Sequence, residues 1–171
     1  MIKADKKLKA LAAVLSKEKN VLISDAIMLL RDEQPFEGAI GLLTSLYNKN
    51  DDPNVRKAIE GFMNDLKDQT ASSEVMHEIR KPWKPDTISM LVSSCWQSGL
   101  DYSAYSNDLV EVFMTGDYVT AVECFTVTEE FVHGLSREKK ADLTSIIEES
   151  RLTVTNEKKA LITELLSILS M

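Results

Sequence analysis

The sequence predicts an all-α chain of about five helical hairpins in series. Three observations carry that expectation. Apolar residues recur three and four positions apart along most of the 171 residues, and no stretch alternates apolar and polar for long. Only 6 Gly and 4 Pro interrupt the chain, so turns are few and regular elements long. Helix starts near 20, 52, 85, 117 and 155 leave three successive gaps of roughly 33 residues, a period of repeat arrays in which stacked neighbours complete one core.

The elements follow in order. Leu8, Leu11, Ala12 and Leu15 predict a first helix near 3–17. Asn20 is a candidate cap for a second, with Ile23, Ile27 and Leu30 on one face. Pro35 suits the first turn of a third, which carries Ile40, Leu43 and Leu46. Asp52 as N-cap and Pro53 at N1 open a fourth, whose stripe is Val55, Ile59, Phe62, Met63 and Leu66. A short fifth holds Val75, Met76 and Ile79 and stops before Lys81-Pro82, because the residue before proline leaves the α region.

Pro85 opens a sixth helix with Ile88, Leu91, Val92, Cys95 and Trp96, closed by Gly99. After a loop, Leu100 to Tyr105, Ser106 caps a seventh with Leu109, Val112 and Phe113. Asp117 caps an eighth, in which Phe125 shares a stripe with Ala121 and Val122, ending near Gly134. Ser136 caps a ninth with Leu143, Ile146 and Ile147, and Thr155 a tenth with Leu161, Ile162, Leu165, Ile168 and Leu169.

Length and composition fit a single domain over 1–171. A net charge of -7 argues against a nucleic-acid partner, whose phosphates are met by Lys and Arg. Cys95 and Cys124 are isolated in apolar patterns and read as reduced buried thiols, which fits a cytoplasmic setting. The opening stretch, MIKADKKLKALAAVLSKEKN, has too short an apolar run for a secretory signal, and no run reaches the ~18 apolar residues of a membrane span. No membrane association is expected.

The run Leu46-Tyr-Asn-Lys-Asn50-Asp-Asp52-Pro53-Asn-Val55-Arg56-Lys-Ala58 resembles the inter-helix turn of a HEAT repeat, with Asp-Pro before Val-Arg. Asn50 stands where that pattern usually has Asp. Lys84-Pro85-Asp86 and Gly116-Asp117 keep the turn and lose the Val-Arg. Ankyrin and tetratricopeptide arrays share the period, but their signature residues are absent here. The whole chain is similar to small bacterial HEAT-like proteins. The resemblance implies a right-handed α-α superhelix, a HEAT/armadillo-like solenoid, and transfers no activity. It also implies that second helices of hairpins line a groove, which would hold Arg56, Glu60, Ser93, Gln97, Glu123 and Glu130.

No motif for chemistry emerges. His77 and His133 have no His or Cys three or four positions away, so no metal site is expected. No Gly-rich phosphate loop, His-Glu-x-x-His or Gly-x-Ser-x-Gly occurs, and neither a catalytic residue nor a cofactor is assigned. Acidic pairs such as Glu129-Glu130 and Glu148-Glu149 read as solvated.

The unusual segment is Trp83 to Tyr105, WKPDTISMLVSSCWQSGLDYSAY, which holds both tryptophans. Trp and Tyr are favoured interface anchors. Trp83 lies between Pro82 and Pro85, whereas Trp96 reads as core. The expected partner-binding set is Trp83, Gln97, Asp101, Tyr102 and Tyr105, with Arg56 and Glu123 in the groove. The reading is a non-enzymatic scaffold for a protein or peptide. One alternative is an enzyme on a HEAT-like frame, such as a nucleic-acid base glycosylase, using Trp83, Trp96 and Asp101. Another is a homo-oligomer joined through the leucine-rich tenth helix.

Overall fold

A computed structural model describes residues 2–17, 19–31 and 35–171. Ten α-helices and no strand occur among them. Met1 and Glu18, which the N-terminal reading includes, lie outside the described residues. The sequence reads as one domain over 1–171; the fold divides into two compact units, Met1–Leu100 and Asp101–Met171.

The first unit contains α1 (Ile2–Lys17), α2 (Asn20–Leu30), α3 (Ala39–Lys49), α4 (Pro53–Asn64), α5 (Ala71–Ile79) and α6 (Pro85–Gln97). Each odd helix packs on the even helix that follows it. The helices also form two rows: α1 on α3 on α5, and α2 on α4 on α6. Ile27, Ile40, Leu43, Ile59, Met63, Met76 and Leu91 are wholly buried in this unit. One hairpin alone would leave these side chains wet; a stacked neighbour removes them from water, at roughly 1.5–3 kcal/mol per large aliphatic group.

Local chemistry sets the ends. Asp52 Oδ1 accepts from the backbone N–H groups of Asn54 and Val55 at 3.0 and 3.1 Å and starts α4 as predicted. Pro85 stands at the first turn of α6, and Gly99 follows it with φ +70°, a conformation that glycine adopts without a Cβ penalty. Two predicted starts in this unit shift. Pro35 precedes α3 rather than opening it; the N-cap is Gly38, at φ +87°, where a Cβ would come within 2.9 Å of the Leu8 side chain. Asn20 is the first residue of α2 rather than its cap, and its side chain reaches across to the α3–α4 turn.

The second unit opens with a 3-10 turn, Ser103–Tyr105, followed by α7 (Ser106–Thr115), α8 (Tyr118–Phe131), α9 (Arg137–Ser150) and α10 (Lys159–Ser170). Helix α7 packs on α8 and α9, and α10 on α9 and α8. Asp117 and Ser136 cap α8 and α9, accepting from Thr120 N at 2.8 Å and Lys139 N at 3.1 Å. The buried face of α8 is Thr120, Ala121, Cys124, Val127 and Thr128. Val122 is therefore exposed and Phe125 only half-buried, which corrects the predicted stripe. Helix α10 buries Ile162, Leu165 and Leu169. No helix among the described residues is long and apolar enough to cross a membrane.

Candidate functional site

Arg56 and Gln97, both read from the sequence as groove residues, join neighbouring helices of the first unit. Arg56 forms an ion pair with Asp86 in the first turn of α6. Its guanidinium carbon stands 4.1 Å from the centre of the Tyr47 ring, and Nη2 reaches the Tyr47 carbonyl at 3.5 Å. Tyr47 in turn donates to Glu60 at 2.8 Å. The guanidinium hydrogen bond holds the Asp86 carboxyl below the usual range, and burial followed by Glu60 raises the Tyr47 phenol. Gln97 accepts from Asn64 Nδ2 at 2.7 Å and donates to Ser93 Oγ at 2.7 Å.

These bridges recur at the repeat spacing. Asn20 donates to Asp52 at 3.2 Å and accepts from Asn50 at 3.1 Å. Arg31 pairs with Asp65 at the far ends of α2 and α4. Asn50 stands where the HEAT-like turn pattern has Asp, and Arg56 turns instead to the next even helix. Asp52-Pro53 opens α4, and the ion pair of Arg56 runs to Asp86 of α6.

The boundary between the units falls inside the Trp83–Tyr105 segment. In the first unit, Trp83 is half-buried and its indole Nε1 is buried without a hydrogen-bond partner. Its loop is tied down by Asn48 Oδ1, which accepts from Lys84 N at 2.9 Å and Thr87 Oγ1 at 3.0 Å. Trp96 is 38% exposed, not core as expected, because the buried side of α6 runs through Thr87, Leu91, Ser94 and Cys95. In the second unit, Tyr102 is 1% exposed and offers no surface to a partner. Tyr105 is half-buried, with its ring centre 6.3 Å from that of Tyr102. Asp101 is exposed and accepts from Ser103 N at 2.8 Å, which lowers its carboxyl. Glu123 is half-buried on α8.

Two features escaped the sequence reading. The first is an outer face of α2, where Val21, Leu22, Met28 and Leu29 are all exposed, with Asp25 among them. The second is a cavity of about 740 Å³ in the first unit, walled by residues of α1, α3 and α5. Leu8, Phe36 and Ile40 supply apolar wall; Glu74 and Glu78 supply carboxylates one helical turn apart. Glu74 Oε1 accepts from the N–H groups of Gly38 and Gly41 at 3.1 and 3.3 Å, and burial raises its carboxyl nonetheless. Glu78 is 2% exposed; Oε1 takes Lys81 Nζ at 2.6 Å, and Oε2 is buried with no partner. A signal existed: Glu78 is an acid between Val75 and Ile79 on the apolar face of a short helix.

No group of three or more His, Cys, Asp or Glu able to hold a metal ion occurs among the described residues. No protein-family model, no curated protein and no solved structure matches the chain.

Proposed function

We propose that the chain is a non-enzymatic scaffold that binds a protein or peptide on a HEAT/armadillo-like right-handed superhelix. The two rows of helices in the first unit support the frame, as do polar bridges recurring at repeat spacing. A cytoplasmic setting accompanies this reading, supported by the buried thiols Cys95 and Cys124.

The observation that carries the binding role is the outer face of α2. Val21, Leu22, Met28 and Leu29 fall at helical spacing on one side, with exposures of 68%, 49%, 56% and 71%. Scattered exposed aliphatics are ordinary, but four on one side of a single helix, flanking Asp25, favour an interaction surface. The occupant that fits is the apolar face of a partner helix, which anchors at the same spacing.

Affinity capture tests this with the intact chain and with a Leu22→Glu/Leu29→Glu double variant of unchanged circular dichroism. The expected result is one stoichiometric companion that rebinds as a purified protein and is lost with the variant. No companion, or one the variant retains, overturns the reading. An intact chain that sediments as a dimer while the variant stays monomeric assigns the stripe to self-association.

A further inference from the structure

We propose that the outer face of α2 docks a partner helix that carries one lysine or arginine within its apolar stripe, seated on Asp25. The inference rests on reading that face as the binding surface and adds the chemistry of what it binds.

Helix α2 carries a single charge along its length. In Asn20–Leu30 the only ionisable side chain is Asp25, the middle residue of the eleven. At 3.6 residues per turn, Val21, Leu22, Asp25, Met28 and Leu29 share about 120° of the circumference, opposite the buried Ile23, Ile27 and Leu30. Val21 and Met28 therefore flank Asp25 on one side, and Leu22 and Leu29 on the other. Asp25 is itself exposed. Lys19 and Arg31 stand at the two ends of the helix, and Arg31 is taken by Asp65.

The seams of the even row set a polarity for such a face. Helix α2 is first in that row and packs on α4, as α4 packs on α6. At the first seam, Asn20 donates to Asp52 and Arg31 to Asp65. At the second, Arg56 donates to Asp86 and Asn64 to Gln97. In each of these bridges the donor belongs to the earlier helix or its cap, and the acceptor to the later one. A helix laid on the open side of α2 takes the place before it in the row. The same polarity then gives that helix the donor and Asp25 the acceptor.

Desolvation sharpens the choice. Apolar side chains that close over the four aliphatics also take water from Asp25. A neutral helix would leave the carboxylate buried without a partner, and an acidic one would add repulsion. A charge-assisted N–H donor removes both costs. The same charge disfavours a second copy, because a two-fold axis through the middle of α2 would set two Asp25 carboxylates against one another. A lipid surface would draw the carboxylate towards the acyl chains along with the aliphatics.

Isothermal titration tests this with the full chain and an alanine-based helical peptide of roughly 18 residues with a leucine stripe, carrying lysine, norleucine or glutamate at its centre. The lysine peptide should bind at least about tenfold tighter than the norleucine peptide, with the glutamate peptide weakest. Asp25→Asn should erase most of that preference, and Asp25→Lys should turn it towards glutamate. Equal binding of the lysine and norleucine peptides, or a lysine preference that persists in Asp25→Asn, overturns the proposal. If Leu22→Glu/Leu29→Glu abolishes that binding, the docking face itself still stands. Peptide binding that survives Leu22→Glu/Leu29→Glu overturns the docking face as well. Failure of every peptide to bind overturns the proposal alone, since capture of a companion decides the face. A native chain that dimerises through this face, or cosediments through it with phosphatidylcholine–phosphatidylserine vesicles, gives the face to another occupant and overturns the proposal.

Discussion

Lys158 closes the end of α7 from across the second unit: its ammonium donates to the Gly116 carbonyl at 2.6 Å. The same Nζ reaches the carbonyls of Phe113 and Met114 at 3.0 and 2.9 Å. The last turn of a helix leaves carbonyls without intrahelical partners, and a cation there also meets the negative end of the helix dipole. Lys158 is 3% exposed, and that burial lowers its ammonium below the ordinary lysine value.

Lys158→Met keeps the aliphatic stem and removes all three donors. Charge-assisted hydrogen bonds and the buried carbonyls left behind put the cost at about 2–4 kcal/mol. Urea denaturation of the intact protein measures it. A loss under about 0.5 kcal/mol would show that water replaces the ammonium without penalty.

Glu74 sets a pH dependence whose sign is fixed. Burial raises its folded carboxyl above the ordinary value of 4.5, so the folded state holds the proton to higher pH than the unfolded chain. Its contribution is fullest below 4.5 and is lost as pH rises through the folded value. Glu74→Gln keeps an acceptor for Gly38 and Gly41 and cannot ionise. Stability of the native chain relative to Glu74→Gln should fall as pH climbs from 4.5, then level off. A flat difference across that window contradicts the assignment.

Asp86 runs the other way. Arg56 holds its carboxyl below 3.8, so the pair stabilises the fold above that value and fades as pH falls through the lower folded one. Half of the Asp86 side chain is exposed, at 49%, and solvent screens the pair. Asp86→Asn should cost under about 1 kcal/mol at neutral pH, with less effect in high salt. Arg56→Ala should cost more, because it also removes the guanidinium from the face of Tyr47. Equal losses in the two variants would show that the stacking adds nothing.

Helix positions were legible from apolar spacing, while only some predicted caps hold: Ser106 is the first residue of α7, and Thr155 precedes a 3-10 turn ahead of α10. Asp52-Pro53, Pro85, Asp117 and Ser136 open helices as their sequence neighbourhoods predict. The start of α3 was not legible, because Pro35 offers a plausible first turn while the actual cap is the left-handed Gly38. The facing of α8 was not legible either: apolar residues occur on all its sides, so periodicity does not select one. Lys158 and Glu78 escaped for a shared reason. Each is a charged residue buried by tertiary packing, and Lys158 has partners more than forty residues away. The polar role of Arg56 was half-read, since the turn motif pointed to Arg56 but not to Asp86.

Phe113 and Phe125 of the second unit turn that difficulty into a measurement. Phe113 is 1% exposed, whereas Phe125 is half-buried. Phe113→Ala should cost about 3–5 kcal/mol, and Phe125→Ala about 1–2 kcal/mol, in the same denaturation assay. The reverse order would mean that α8 is rotated to bring Phe125 inward.

Trp83 yields the last prediction, from the conflict between its ring and its nitrogen. The partly buried ring sits in a loop held by Asn48, while Nε1 is buried with no acceptor. Packing favours a large aromatic at this position; the unpaired N–H disfavours indole in particular. Trp83→Ala removes both, and the packing loss dominates at about 1–3 kcal/mol for a half-buried ring. Trp83→Phe keeps an aromatic face and deletes the N–H, so relief of the unpaired donor offsets the smaller ring. Its stability should stay within about 1 kcal/mol of the native chain and well above that of Trp83→Ala. A binding role for Trp83 separates from this structural one in a capture assay. If Trp83→Phe folds normally but no longer holds the companion, the indole is a recognition group; if it retains the companion, the ring serves packing alone.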